Sequence, residues 1–314
     1  MPQLRPLAAS EHLGHKSIVV GRLLVGALAT AALGCWSCAP ISTQPSPTLP
    51  WHLEAIGAPE AWTVTQGEGE LIAFLDTGLA DQALPALRQR ELSLQTTQDA
   101  VGHGTAVTTL AAGSGDLGVW GVAPRARVLS ISVLDGSGQI SSQLVVLGIY
   151  AAVRQGASVI NMSFGQASDS PQIRSAIDFA TAHGIVIVAA GGDTASPTAL
   201  FPADIVDEVV AARALGETGE PSPYANRVGV NGIDAPGRNL AAVRVQNETV
   251  EVFASAGSSM ATALVSGSVA LLEACVHRRS GSVLGQAAVV RVLRASAKQG
   301  PWFNLRSALR AVGC

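Results

Sequence analysis

The sequence predicts an α/β protein with a mostly parallel central sheet covered by helices on both faces. Three observations point there. Short apolar runs recur at residues 70–76, 127–134, 158–162, 185–190 and 209–212, and such runs are strands buried on both faces. Stretches of helical character separate several of them, after His103 to residue 113, at 141–155 and at 170–183. Alternating strands and helices build parallel sheets with crossover helices. The 314-residue chain is 48% hydrophobic and only 14% charged, which favours a large buried core over disorder. A formal net charge of −3 leaves no basic footprint for nucleic acid. No internal repeat is visible.

The chain opens with polar residues 1–22, carrying Arg5, Lys16 and Arg22, followed by an apolar run at 23–34. That run is too short and too rich in Gly and Ala to span a bilayer comfortably. A basic flank, a short apolar core and small residues after it describe an export signal; a buried core helix is the alternative. The run closes on Ala32-Leu33-Gly34-Cys35, which resembles a bacterial lipoprotein box with Cys35 as the lipidated residue. Ordinary cleavage near Ala39 competes. Residues 1–38 are therefore read as a leader. Residues 39–50, with Pro40, Pro45, Pro47 and Pro50, form a stiff extended spacer. Residues 51–314 form one domain. Export to the cell envelope or medium is expected, with Cys35 as a membrane tether.

The four cysteines are Cys35, Cys38, Cys275 and Cys314. The first two have no second pair or histidine nearby, so no metal spacing exists. In an exported protein a Cys275–Cys314 disulfide is expected, with free thiols as the alternative.

Pro59 opens a short helix at 58–62. The strand at 70–76 closes on Asp76-Thr77-Gly78, placing a carboxylate at the sheet edge where function collects in open α/β proteins. An Asp capping a turn is the structural alternative. His103 differs from the other five histidines by its frame, Gly102-His103-Gly104-Thr105, which lets backbone and ligand approach closely. A loop fills 115–124, and a glycine loop at 135–138 follows the next strand. Ser163-Phe164-Gly165 and Ala190-Gly191-Gly192-Asp193 close the strands before them. Last, Gly257-Ser258-Ser259-Met260-Ala261-Thr262 puts serine at a helix start, where free backbone N–H groups can face a developing negative charge. An ordinary N-cap is the other reading of that segment.

Together, Asp76-Thr77-Gly78, Gly102-His103-Gly104-Thr105 and Gly257–Thr262 resemble the three signatures of the subtilisin-like serine proteases, in that family's order of Asp, His and Ser. The linking runs at 57–62, 121–124, 159–165 and 235–237 resemble the family too, so the likeness covers about residues 51–300. It implies the three-layer subtilisin-like fold and a serine endopeptidase. Ser259 would attack the peptide carbonyl, His103 would be base then acid, and Asp76 would orient the imidazole. A polypeptide substrate would lie as an extended strand between Leu134-Asp135-Gly136 and Ser163-Phe164-Gly165. Ala190 and Gly191 would help line the main specificity pocket. No cofactor is required.

The sequence departs from the family at several points. Gly192 stands where the family carries the Asn whose amide is the second oxyanion donor, so attenuated turnover is expected, and Gly192→Asn is expected to raise it. Exported relatives carry a sizeable prodomain, whereas only residues 39–50 lie between the predicted leader and the domain. Ala263 replaces a Pro after Ala-Thr, a change toward better helix propensity. The family's calcium loop is echoed only in part at 114–119, where Asp116 offers one carboxylate and calcium takes six or more oxygens. No metal residue is assigned, and calcium stays open. The competing reading of the whole chain is a weakly active or inactive relative serving as a peptide-binding scaffold of the cell envelope, with an ester-cleaving enzyme behind it.

Overall fold

The computed structural model describes residues 49–87, 89–91, 99–134, 139–297 and 300–314, with 89–91 as backbone only. The predicted leader with Cys35 and Cys38, nearly all of the spacer, and Asp135 and Gly136 lie outside the described residues.

The elements run in order α1 (Trp51–Ala55), α2 (Ala58–Ala61), β1 (Leu71–Asp76), β2 (Gln89–Glu91), α3 (His103–Ala112), β3 (Arg127–Ser132), α4 (Ser142–Arg154), β4 (Val159–Met162), α5 (Pro171–Ala182), β5 (Val186–Ala190), β6 (Val209–Leu215), β7 (Gly232–Pro236), β8 (Leu240–Gln246), β9 (Thr249–Ser255), α6 (Ser258–Ser280), α7 (Gln286–Ser296) and α8 (Leu305–Ala311). Serine caps open two of the helices. Ser141 and Ser170 side chains accept from the N–H groups of Leu144 and Ile173 at the starts of α4 and α5.

Seven strands form one sheet in the order β2-β3-β1-β4-β5-β6-β7, every pair parallel. The order reverses around β1, the kind of switch point beside which α/β sheets place their sites. Side chains on a strand alternate between faces, and the core divides accordingly. Ile72 and Phe74 of β1 join Val159, Val186, Val188 and Val210 in the layer of α3 and α6. Leu71, Ala73 and Leu75 join Ile160, Ile187 and Ala211 in the layer of α4 and α5. This is the three-layer architecture the sequence predicts.

α6 is long and apolar enough to cross a membrane, but 89% of its apolar window is buried in the fold, so it is the core helix. Glu273 lies on it, 1% exposed, with both carboxyl oxygens 3.1 Å from the Leu284 N–H. Burial drives its pKa from 4.5 up to about 8; the Leu284 N–H opposes the rise and Glu70 adds to it. The unfolded chain loses this proton near the ordinary value and the folded chain keeps it until about pH 8. Stability is therefore fullest below the unfolded pKa and falls as pH rises toward 8. At about 1.4 kcal/mol per pKa unit, Glu273→Gln should raise stability at pH 8 by a few kcal/mol and leave it nearly unchanged at pH 4. Urea titrations at the two pH values check this.

Cys275 and Cys314 pair as expected, their Cα atoms 6.5 Å apart, within disulfide range. The pair closes a sequence separation of 39 residues and ties the end of α8 to α6. On loop-closure entropy, Cys314→Ser in the oxidised protein should cost about 3–4 kcal/mol, read as a lower urea midpoint.

The hairpin of β8 and β9, with α7 and α8, extends the fold beyond the predicted elements. β8 and β9 pair antiparallel across Asn247 and Glu248, whose φ values are 50° and 62°. A tight hairpin turn wants such angles, usually signalled by Asn-Gly; Asn-Glu hides the signal.

Candidate active site

Asp76 ends β1 on the face set by Ile72 and Phe74, toward α3 and α6. α3 begins at His103, and α6 begins at Ser258, one residue before Ser259. The acid and the imidazole, from distant stretches, thus meet at the carboxyl end of the sheet, and the hydroxyl stands at the start of α6, which packs on the same face.

His103 Nδ1 lies 2.7 Å from Asp76 Oδ1, which also accepts from the Thr77 N–H at 2.8 Å. Asp76 is 1% exposed, and its Oδ2 is buried without a partner among the described residues. Burial pulls the His103 pKa down. The charge and hydrogen bond of Asp76, with the charge of Asp99, outweigh it and leave the ring above its usual 6.5. An imidazolium here is thus stabilised, and among the described residues no hydrogen bond occupies Nε2.

Asp99 fixes the start of α3. Its carboxylate accepts from Thr77 Oγ1, the Gly102 N–H and the Thr105 N–H, each at 2.8 Å. Thr77 Oγ1 in turn accepts from the Gly104 N–H at 2.8 Å. The Asp-Thr-Gly and Gly-His-Gly-Thr motifs are therefore one hydrogen-bonded unit.

The Ser259 hydroxyl donates to the Ser163 carbonyl at 2.8 Å, and Ser163 Oγ donates to the Ser259 carbonyl at 3.0 Å. Among the described residues no hydrogen bond joins Ser259 to His103. Asn161 steadies this junction, its amide donating to Ser163 Oγ and its oxygen accepting from Ser266 of α6, both at 2.9 Å.

The helix start has one open donor. The Ser258 N–H goes to both oxygens of Asp193, at 3.1 and 2.9 Å, and Ser258 Oγ donates to Asp193 Oδ2 at 2.8 Å. The N–H groups of Met260 and Ala261 turn back to the Gly257 carbonyl. Among the described residues the Ser259 N–H has no partner, so a donor stands ready beside the hydroxyl. Asp193 sits at the positive end of the α6 dipole, which makes its charge tolerable there.

Gly192 adopts φ +109°, and a Cβ added to it would lie 2.4 Å from Asn226 Nδ2 and 2.9 Å from Leu200 Cγ. An Asn at this position is strained and crowded as the chain stands. The expectation that Gly192→Asn simply restores a donor therefore gives way to overpacking.

A family model described as the Subtilase family matches residues 67–307. The chain belongs to the subtilase family. It is 32% identical over 242 residues to an intracellular serine protease of Paenibacillus polymyxa, covering 72% of this chain and 73% of that one. It is 34% identical over 235 residues to a thermostable alkaline protease of Halalkalibacterium halodurans, covering 73% of this chain and 63% of that one, so it spans under two thirds of that relative. The structure of the prenylagaramide maturation protease PagA superposes with a TM-score of 0.70 at 26% identity, covering 82% of this chain and 98% of that one. These likenesses make the chain a hydrolase of the subtilisin-like serine protease kind.

In this subtilase the predicted substrate residues divide. Leu134 is buried, and its N–H shares the Asp76 carbonyl with that of Val133. Ser163 is buried against Ser259, Phe164 packs half-buried on the α4–α5 core, and Gly165 stands against Leu200. Ala190 and Gly191 are buried at the end of β5; the Gly191 N–H goes to the Ala212 carbonyl, and its own carbonyl accepts from Leu200. Asp116, from the calcium-like stretch, accepts from Ser114 Oγ at 2.5 Å. Among the described residues no group of three or more His, Cys, Asp or Glu could hold a metal.

Asp99 and Asn226 escape the motif reading, and Asn161 and Asp193 fall inside quoted runs with their roles unread. Asp99 carried a signal, an acid shortly before a helix start. Asn226 carried none, because its side-chain partners lie 30 to 35 residues away in the chain.

Proposed function

We propose that the protein is an exported serine endopeptidase that hydrolyses peptide bonds with Ser259, His103 and Asp76. The observation that carries this reading is the 2.7 Å contact of His103 with Asp76, in the same layer as a serine whose own N–H is unpartnered among the described residues. Rotation about χ1 moves the Ser259 hydroxyl from the Ser163 carbonyl toward His103. The imidazole takes its proton as the oxygen attacks the scissile carbonyl. The Ser259 N–H then donates to the oxyanion, while buried Asp76 stabilises the imidazolium. His103 returns the proton to the leaving amine, and water repeats the sequence on the acyl-enzyme. No step calls for a metal or cofactor. Any attenuation from Gly192 depends on whether another donor serves in place of the missing amide.

A fluorophosphonate probe tests the reading. It should label wild type at Ser259 and leave Ser259→Ala unlabelled. A folded wild type that stays unlabelled would overturn it and favour the peptide-binding scaffold. In the same proposal, Cys35 is lipidated and anchors the enzyme to a membrane. Cys35→Ala should then leave the membrane fraction for the soluble one, and identical fractionation of both forms removes the anchor.

A further inference from the structure

We propose that Asn226 supplies the side-chain oxyanion donor that Gly192 lacks. The inference rests on the peptidase reading above and adds a catalytic residue to it.

The Asn226 side chain is 1% exposed, and its orientation is determined by its partners. Oδ1 accepts from the Thr194 N–H at 2.9 Å, Thr194 Oγ1 at 3.0 Å and the Ser196 N–H at 2.9 Å. Three donors on one atom leave no choice of amide flip, so Nδ2 faces the other way, toward residues 191 and 192. One of its two N–H groups goes to the Gly191 carbonyl at 3.2 Å, and the Asn226 backbone N–H goes to the Gly192 carbonyl at 2.9 Å. Among the described residues the second side-chain N–H has no partner. A buried amide hydrogen left unmade is costly unless something accepts from it.

The place of that nitrogen decides the matter. It lies 2.4 Å from the point where residue 192 would carry a Cβ. Within a single asparagine, Cβ and Nδ2 are about 2.4 Å apart on ordinary bond lengths. Asn226 thus brings an amide nitrogen to within one asparagine side chain's reach of position 192, arriving from another loop. The Gly192 N–H donates to Ser258 Oγ at 3.2 Å, which keeps this amide next to the helix start that bears the free Ser259 N–H. Gly192 is required because any side chain there collides with the incoming amide.

Asn226 could instead merely clamp residues 194–196. Asn226→Asp separates the roles, since it keeps the accepting oxygen and deletes both amide N–H groups. The readouts are kcat and KM on a peptide that wild type cleaves, with affinities for a peptide aldehyde and the matching peptide alcohol. The aldehyde forms a tetrahedral adduct with an oxyanion, and the alcohol does not. kcat should fall on the order of 10²–10³-fold with KM unchanged. Aldehyde affinity should fall by a similar factor while alcohol affinity holds. An unchanged kcat, or equal losses for aldehyde and alcohol, overturns the inference and leaves the peptidase standing. Wild-type NMR covers a variant that does not fold and separates a lost donor from an added charge. One Asn226 side-chain amide proton should move downfield when the aldehyde binds, and an unmoved resonance refutes the proposal. A folded wild type that neither cleaves nor takes the fluorophosphonate refutes the peptidase reading and this inference with it.

Discussion

Asp76→Asn is expected to lower kcat about 10⁴-fold while KM changes little. The Asp76 carboxylate accepts from His103 Nδ1 at 2.7 Å and so holds the ring proton on Nδ1 and leaves Nε2 as the basic nitrogen. An amide in its place can present N–H to the ring, which selects the other tautomer. The electrostatic consequence has a definite sign. Burial lowers the His103 pKa, and Asp76 is the main group raising it, with Asp99 assisting. Without Asp76 the ring titrates lower, so the acid limb of the pH–rate profile should move to lower pH even as the rate collapses. Stability follows the same linkage. The raised pKa of His103 contributes stability that is full below 6.5, the unfolded value, and is lost as pH rises through the folded pKa. In the variant this contribution should disappear. A pH–rate profile and a stability–pH curve, wild type against variant, check both signs.

Gly104→Ala is expected to remove about 4 kcal/mol or more of stability, at the exceptional end for a single methyl, and activity with it. A Cβ on Gly104 would stand 2.1 Å from the Gly78 carbonyl oxygen and 2.9 Å from its nitrogen. Both neighbours are backbone, so no side chain can turn aside. α3 would have to lift from the end of β1, breaking the Gly104–Thr77 hydrogen bond and carrying His103 away from Asp76. A thermal melt gives the stability, and a peptide assay at a temperature where the variant remains folded gives the activity. A variant as stable as wild type would mean that the two motifs do not abut as described.

The contact between Gly78 and Gly104 also shows why so much was readable. Each motif is short, contiguous and rich in residues whose chemistry is distinctive, and the two glycines are there because the motifs touch. Buried parallel strands announce themselves through unbroken apolar runs, which is why β1, β3, β4, β5 and part of β6 were legible. β8 and β9 were not, because no residue of β9 is fully buried and the turn between them lacks glycine. The site became less legible wherever a partner comes from far along the chain. Gly192 was visible as a missing amide, but its neighbour Asn226 is an ordinary loop asparagine until the fold brings it there. In the sequence Asp193 only closes the run after a strand; the fold holds it on Ser258 at the start of α6.

The central claim is that Ser259, His103 and Asp76 act as one device. Turnover of a single peptide by Ser259→Ala, by His103→Ala and by the variant lacking all three side chains tests it most directly. The account predicts losses of about 10⁶-fold in each case, with the triple variant no slower than Ser259→Ala alone. Losses that multiply from variant to variant, or a Ser259→Ala enzyme that still turns over at the wild-type rate, would contradict it.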